Sequence, residues 1–130
     1  MALPYSHPLT DEAVCSTAAS IATGIAGVIR APFKGKLIAV GTMLGSTVAT
    51  ADATCTVSVA GTNVTGGSFV ITQSGSAIGD HDYASVYDPN ANATITGANT
   101  VNENDVIKFA FTGSGTGGGN VHCYAVIRLG

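Results

Sequence analysis

Charge is what this sequence has least of. Lys, Arg, Asp and Glu together make up 10% of its 130 residues, against roughly 25% in a typical soluble domain. The surface must therefore be covered mainly by Thr, Ser, Asn, Gly and Ala. Such a surface costs little to dehydrate, so it suits packing against other protein and signals assembly. Only five residues are Lys or Arg, against eight Asp and Glu, for a formal net charge of −3. That balance argues against nucleic acid as a partner, because phosphate binding needs clustered cations to release counterions. Arg30, Lys34 and Lys36 are the sole local basic group, and a solvated strand end accounts for them.

Tryptophan is absent, and aromatic residues are 6% of the chain. A sugar-stacking platform built on Tyr83 and Tyr87 is therefore thinly supported. The three cysteines, Cys15, Cys55 and Cys123, give an odd count without CxxC spacing, so free thiols in a reducing compartment are expected. A Cys55–Cys123 bridge stays open. The N-terminal "MALPYSHPLTDE" lacks the basic n-region of a secretory signal. The first apolar run, "AVCSTAASIATGIAGVI", is diluted by Ser, Thr and Gly and does not read as a membrane span.

What is present is a string of short strands. Hydrophobic residues reach 45%, enough for one domain with a real core. Residues 1–20 read as an arm. Pro4 and Pro8 break regular structure there, and Thr10 followed by Asp11 and Glu12 could cap a short helix through "DEAVCSTAAS". The arm either docks on another protein or packs back on its own domain. Residues 21–130 alternate with period two between Gly, Asn and Asp turns. In "DATCTVSVAG", Ala53, Cys55, Val57 and Val59 share one face; in the last strand Val121, Cys123, Ala125, Ile127 and Leu129 do the same. The pattern predicts an all-β fold, an antiparallel β-sandwich of jelly-roll type with about eight strands.

Each candidate chemical site meets a plainer explanation. "GSGTGG", residues 113–118, has the letters of the G-x-G-x-x-G dinucleotide fingerprint, but that motif needs a helix after it. The alternating "NVHCYAVIRL" follows instead, so a hairpin loop joining two strands of one sheet is expected. "GDHDYASVYDPN" carries Asp80, Asp82, Asp88 and Asn90, oxygen ligands of the kind Ca²⁺ takes, without the spacing of an EF-hand. His81 beside Asp82 suggests acid–base work, yet adjacent residues on an extended chain point oppositely and no nucleophile is tied to them. His7, His81 and His122 lack metal-ligand spacing. Asn63-Val64-Thr65 and Asn92-Ala93-Thr94 fit the glycosylation sequon, which matters only in a secreted eukaryotic protein. No enzyme site, metal or cofactor emerges.

The order of elements carries a resemblance. "RAPFKGKLIAV", "ADATCTVSVAGTNVTGG", "NTVNENDVIKFAF" and a closing "VHCYAVIRL" resemble small β-sandwich decoration, or cement, proteins of tailed bacteriophage capsids, and the trimeric tips of phage fibres. The match spans Arg30 to Leu129, and departs where Glu103-Asn104-Asp105 stands in place of the usual Gly-Asp turn. The resemblance implies a homotrimeric structural protein on the outer surface of a virion, made in the host cytoplasm. Its partner would be a major capsid protein, with no role for nucleic acid or membrane. Partner contacts are then expected in the arm, at Leu3, Pro4, Tyr5, Pro8 and Leu9. The alternative is a fibre-tip or carbohydrate-binding module using Tyr83, Tyr87 and the aspartates.

Overall fold

The computed structural model describes residues 12–21 and 26–130. All regular structure among them is β. In chain order the strands are β1 (Glu12–Ala19), β2 (Gly27–Arg30), β3 (Gly35–Met43), β4 (Val48–Ala49), β5 (Ala53–Val59) and β6 (Thr62–Ile71). There follow β7 (His81–Ser85), β8 (Ala93–Thr94), β9 (Thr100–Val101), β10 (Val106–Gly113), β11 (Thr116–Gly117) and β12 (Val121–Leu129). A six-stranded sheet runs β1-β12-β3-β7-β8, with β9 also on β3; a four-stranded sheet runs β2-β10-β5-β6. Strands β4 and β11 form a small ribbon. Pairing is antiparallel except between β7 and β8.

The period-two pattern explains the sheets. On β12, Val121, Cys123, Ala125 and Ile127 are fully buried, while His122 between them is exposed. On β10 and β5, Phe109 lies opposite Val57 and Ile107 opposite Val59, and all four turn inward. Side chains from both large sheets meet in one apolar cluster, with Phe109, Leu37, Ile71, Ile107 and Ile127 its largest buried members. Burying each such side chain contributes about 1.5–3 kcal/mol. The inward positions expected from "DATCTVSVAG" are buried as read. Leu129, expected inward, is 50% exposed because it is the last residue of its strand.

The cysteines follow the same alternation. All three are free thiols; Cys55 and Cys123 lie in the core and Cys15 is half-buried. Burial holds the Cys55 thiol far above its ordinary value and pushes Cys123 up to about 12. Thiolate chemistry at those two positions is suppressed.

Two expectations are corrected. The helix through "DEAVCSTAAS" is instead β1, which pairs with β12 at all eight of its residues. Capping signals are local, but β12 offers a row of backbone partners, and that pairing outweighs the weak strand preference of Ala13, Ala18 and Ala19. The "GSGTGG" loop is not a hairpin within one sheet. It carries the chain from β10, in the four-stranded sheet, to β12, in the six-stranded sheet. On the way Thr116 and Gly117 pair with Ala49 and Val48. The Gly118 N–H donates to Thr47 O, and Gly118 O accepts from the N–H groups of Gly45 and Ser46. Gly117 and Gly118 hold φ of 76° and 78°, a conformation that glycine reaches without strain. The crossing is thus hydrogen-bonded into the end of the fold.

Candidate functional site

The polar stretch "GDHDYASVYDPN" becomes β7 and the loop after it, and strand alternation sorts its side chains. His81 and Tyr83 turn to the outer face of the six-stranded sheet, while Asp82 lies opposite the inward Thr42. In the register across β7, β3 and β12, Gly41 stands opposite both Tyr83 and Tyr124. Having no side chain, Gly41 leaves room for the Tyr124 ring to lie on the strand; a Cβ there would come within 2.6 Å of it.

Three rings therefore gather on one face. His81 stacks on Tyr83 with centroids 4.4 Å apart and planes 7° from parallel. His81 Nε2 and the Tyr124 hydroxyl are 2.6 Å apart, and those two rings are tilted at 41°. Tyr83 donates its hydroxyl to Asp88 Oδ2 at 2.5 Å, and the Asn90 N–H donates to Asp88 Oδ1. The Tyr83 bond, then the Asn90 bond, hold the Asp88 carboxyl below its ordinary range. The same Asp88 bond, ahead of desolvation, raises the Tyr83 phenol, and burial raises that of Tyr124. Asn92 braces the edge: its Oδ1 accepts from the Tyr83 N–H and its Nδ2 donates to Asp82. Burial raises the Asp82 carboxyl against that bond.

Tyr87 belongs to a different group. Its hydroxyl accepts from Arg128 Nη1 at 3.2 Å, and the guanidinium sits 5.2 Å from its ring centroid. Arg128 also pairs with Glu12 at 2.8 Å, tying the last strand to the first. The structure thus does not unite Tyr83 and Tyr87 in one ring stack. It brings Tyr83 together with His81 and Tyr124, a residue 41 positions beyond Tyr83 whose place opposite Gly41 appears only once β3 separates β7 from β12.

The aspartates are likewise dispersed in role. Asp80 caps the Ala77 N–H, Asp82 meets Asn92, and Asp88 meets Tyr83 and Asn90. Among the described residues no three His, Cys, Asp or Glu side chains converge as a metal site. His122 is exposed on β12, opposite Met43 and Ala18. Leu3, Pro4, Tyr5, His7, Pro8 and Leu9 lie outside the described residues. Among the described residues no helix is long and apolar enough to cross a membrane. Set beside protein-family models, curated proteins and solved structures, the chain finds no match in any of the three.

Proposed function

We propose that this chain is a structural virion protein, a homotrimeric capsid decoration protein that binds and stabilises an icosahedral head. The observation that carries the reading is the outer edge of β1, unpaired among the described residues. Among the described residues β1 pairs on one side only, with β12. It is eight residues long, contains no Lys or Pro, and has a single charge, Glu12, at its start. Val14, at its middle, is 71% exposed. Edges of this length are normally blunted by charge, proline or a cover, and an unblunted one is suited to pairing with other protein. In a ring of three the contact is heterologous, each β1 meeting a different surface of its neighbour. Three linked copies then make the second and third contacts with the shell intramolecular, and binding to assembled shell stabilises it by mass action.

Strand order supports the finer architecture. The eight strands of four or more residues run first-eighth-third-sixth in one sheet and second-seventh-fourth-fifth in the other. That nesting is what a jelly roll would require, and so favours the jelly-roll reading, an architecture used by viral capsid domains and by lectins. The capsid contacts are assigned to Leu3, Pro4, Tyr5, Pro8 and Leu9, immediately upstream of β1. Electron cryo-microscopy of purified particles tests the reading: trimeric density on the shell lattice is expected. Density confined to an appendage overturns it. Removal of residues 2–11 should abolish shell binding and leave the melting transition in place.

One observation favours a second reading, a fibre-tip or carbohydrate-recognition module. It is the stacked His81–Tyr83 pair beside Tyr124, since ring faces on an outer sheet offer apolar contact with polar edges nearby. Glycan binding that disappears in Tyr83→Ala, without shell density, would select it.

A further inference from the structure

The outer face of the four-stranded sheet holds a groove of about 340 Å³. Thr56 and Ser58 of β5, Asn63 of β6, and Val106, Lys108 and Ala110 of β10 line it. Its shape has a cause in the register. Thr56 pairs with Ser68 but Ser58 pairs with Asn63, so four residues of β6 are set against one of β5. The extra length leaves the ladder, and Thr65 bridges to Gly97 instead. The sheet is thereby opened beside Asn63. A bulge that re-aims side chains next to a concavity is a recurrent way of building a site.

The lining has an uneven chemistry. Lys108 stands directly opposite Ser58 in the β10–β5 register. No protein group among the described residues bonds the Lys108 ammonium, the Ser58 hydroxyl or the Asn63 carboxamide. The Thr56 hydroxyl is shared with Ser68 at 3.3 Å. Among the described residues no carboxylate lines the groove; Val106, Ala110 and Gly61 supply small apolar patches. An unpaired cation next to unused hydroxyl and amide groups fits a ligand carrying a carboxylate and several hydroxyls. The volume lies at the small end of the range for small-molecule sites.

We infer that this groove binds an acidic saccharide, a sugar ring bearing a carboxylate. Lys108 takes the carboxylate, Ser58 and Asn63 take ring hydroxyls, and Val106 and Ala110 meet the C–H face. The inference does not depend on the shell assignment, because the groove lies on the sheet away from β1.

The test is a two-dimensional NMR titration of the full chain with sialyllactose, a glucuronate oligosaccharide, neutral lactose and inorganic phosphate. A carboxylate sugar is expected to shift the amides of residues 56–63 and 106–110, with millimolar affinity that weakens as salt is raised. Lys108→Gln should weaken it at least about tenfold, the scale of one hydrogen bond to a charged group. The variant should keep the parent's melting temperature, because Lys108 is exposed and makes no side-chain bond among the described residues. Equal binding of lactose, binding of phosphate alone, or no binding at all would overturn the inference. So would shifts centred on His81, Tyr83 and Tyr124, or an affinity unchanged in Lys108→Gln.

Discussion

The two outer faces of this molecule are built from the same alternation and have opposite chemistry. On the six-stranded sheet the outward rings and charges around β7 are already engaged with one another. His81 stacks on Tyr83 and meets Tyr124, Tyr83 holds Asp88, and Arg128 holds Glu12 and Tyr87. On the four-stranded sheet Lys108, Ser58 and Asn63 line an open groove and make no side-chain bond among the described residues. A satisfied cluster stiffens the surface it covers, whereas unsatisfied groups around a concavity leave interaction energy available to a ligand. Richness in aromatic and titratable groups is therefore a poor guide to where this chain would bind a small molecule.

The difference can be broken most strongly at Gly41. A valine there would place its Cβ within about 2.7 Å of the Tyr124 ring and hydroxyl, so the ring must leave the sheet. The displaced packing and the lost His81 contact should cost about 1–3 kcal/mol. A thermal melt should fall by several degrees, and the His81 ring resonances should move. An unchanged melt would mean that the three rings contribute nothing to the fold. The groove on the other sheet should be unaffected.

A smaller effect is expected at Tyr83→Phe, and it carries a pH signature. The Asp88 carboxyl is held below its ordinary value of 3.8 chiefly by the Tyr83 hydroxyl. A depressed folded-state value stabilises the fold above the unfolded value and is lost as pH falls through the folded one. Tyr83→Phe should therefore melt below the parent at neutral pH, and the gap should close as acid protonates Asp88. Asp82 works in the other direction: its carboxyl is raised by burial, so its protonation in acid favours the fold. Both proteins keep that contribution, so the gap between them isolates Asp88. A gap constant from neutral pH to pH near 3 would show that the Tyr83–Asp88 bond does not set it.

How much of this was legible beforehand depended on the range of the interaction. Strand faces such as Ala53, Cys55, Val57 and Val59 are decided by neighbours two residues apart, so alternation alone reads them. The strand at Glu12–Ala19 was hidden because its cause lies on β12, more than a hundred residues later. Long-range pairing also hid the role of "GSGTGG", whose flanking strands alternate alike but belong to different sheets. Tyr124 could be assigned to an outward face, yet its meeting with His81 requires knowing that β3 lies between β7 and β12. The groove was illegible for a related reason. Lys108, Ser58 and Asn63 become neighbours only through pairing, and the opening beside Asn63 comes from a register shift that the sequence "TNVTGGSFV" signals only by its adjacent glycines.

The smallest expected effect is the most discriminating, because it repeats the same deletion on the other face. Ser58→Ala removes one hydroxyl, as Tyr83→Phe does, at a residue only 7% exposed. Burial alone would suggest the larger penalty for serine. The Ser58 hydroxyl, however, has no bond within the described residues, and deleting a group that makes no bond forfeits none. Its thermal melt should match the parent to within about 0.5 kcal/mol at every pH, while affinity for a carboxylate sugar falls. A destabilisation equal to that of Tyr83→Phe would mean that the hydroxyl is engaged within the protein, and that the two faces are satisfied alike.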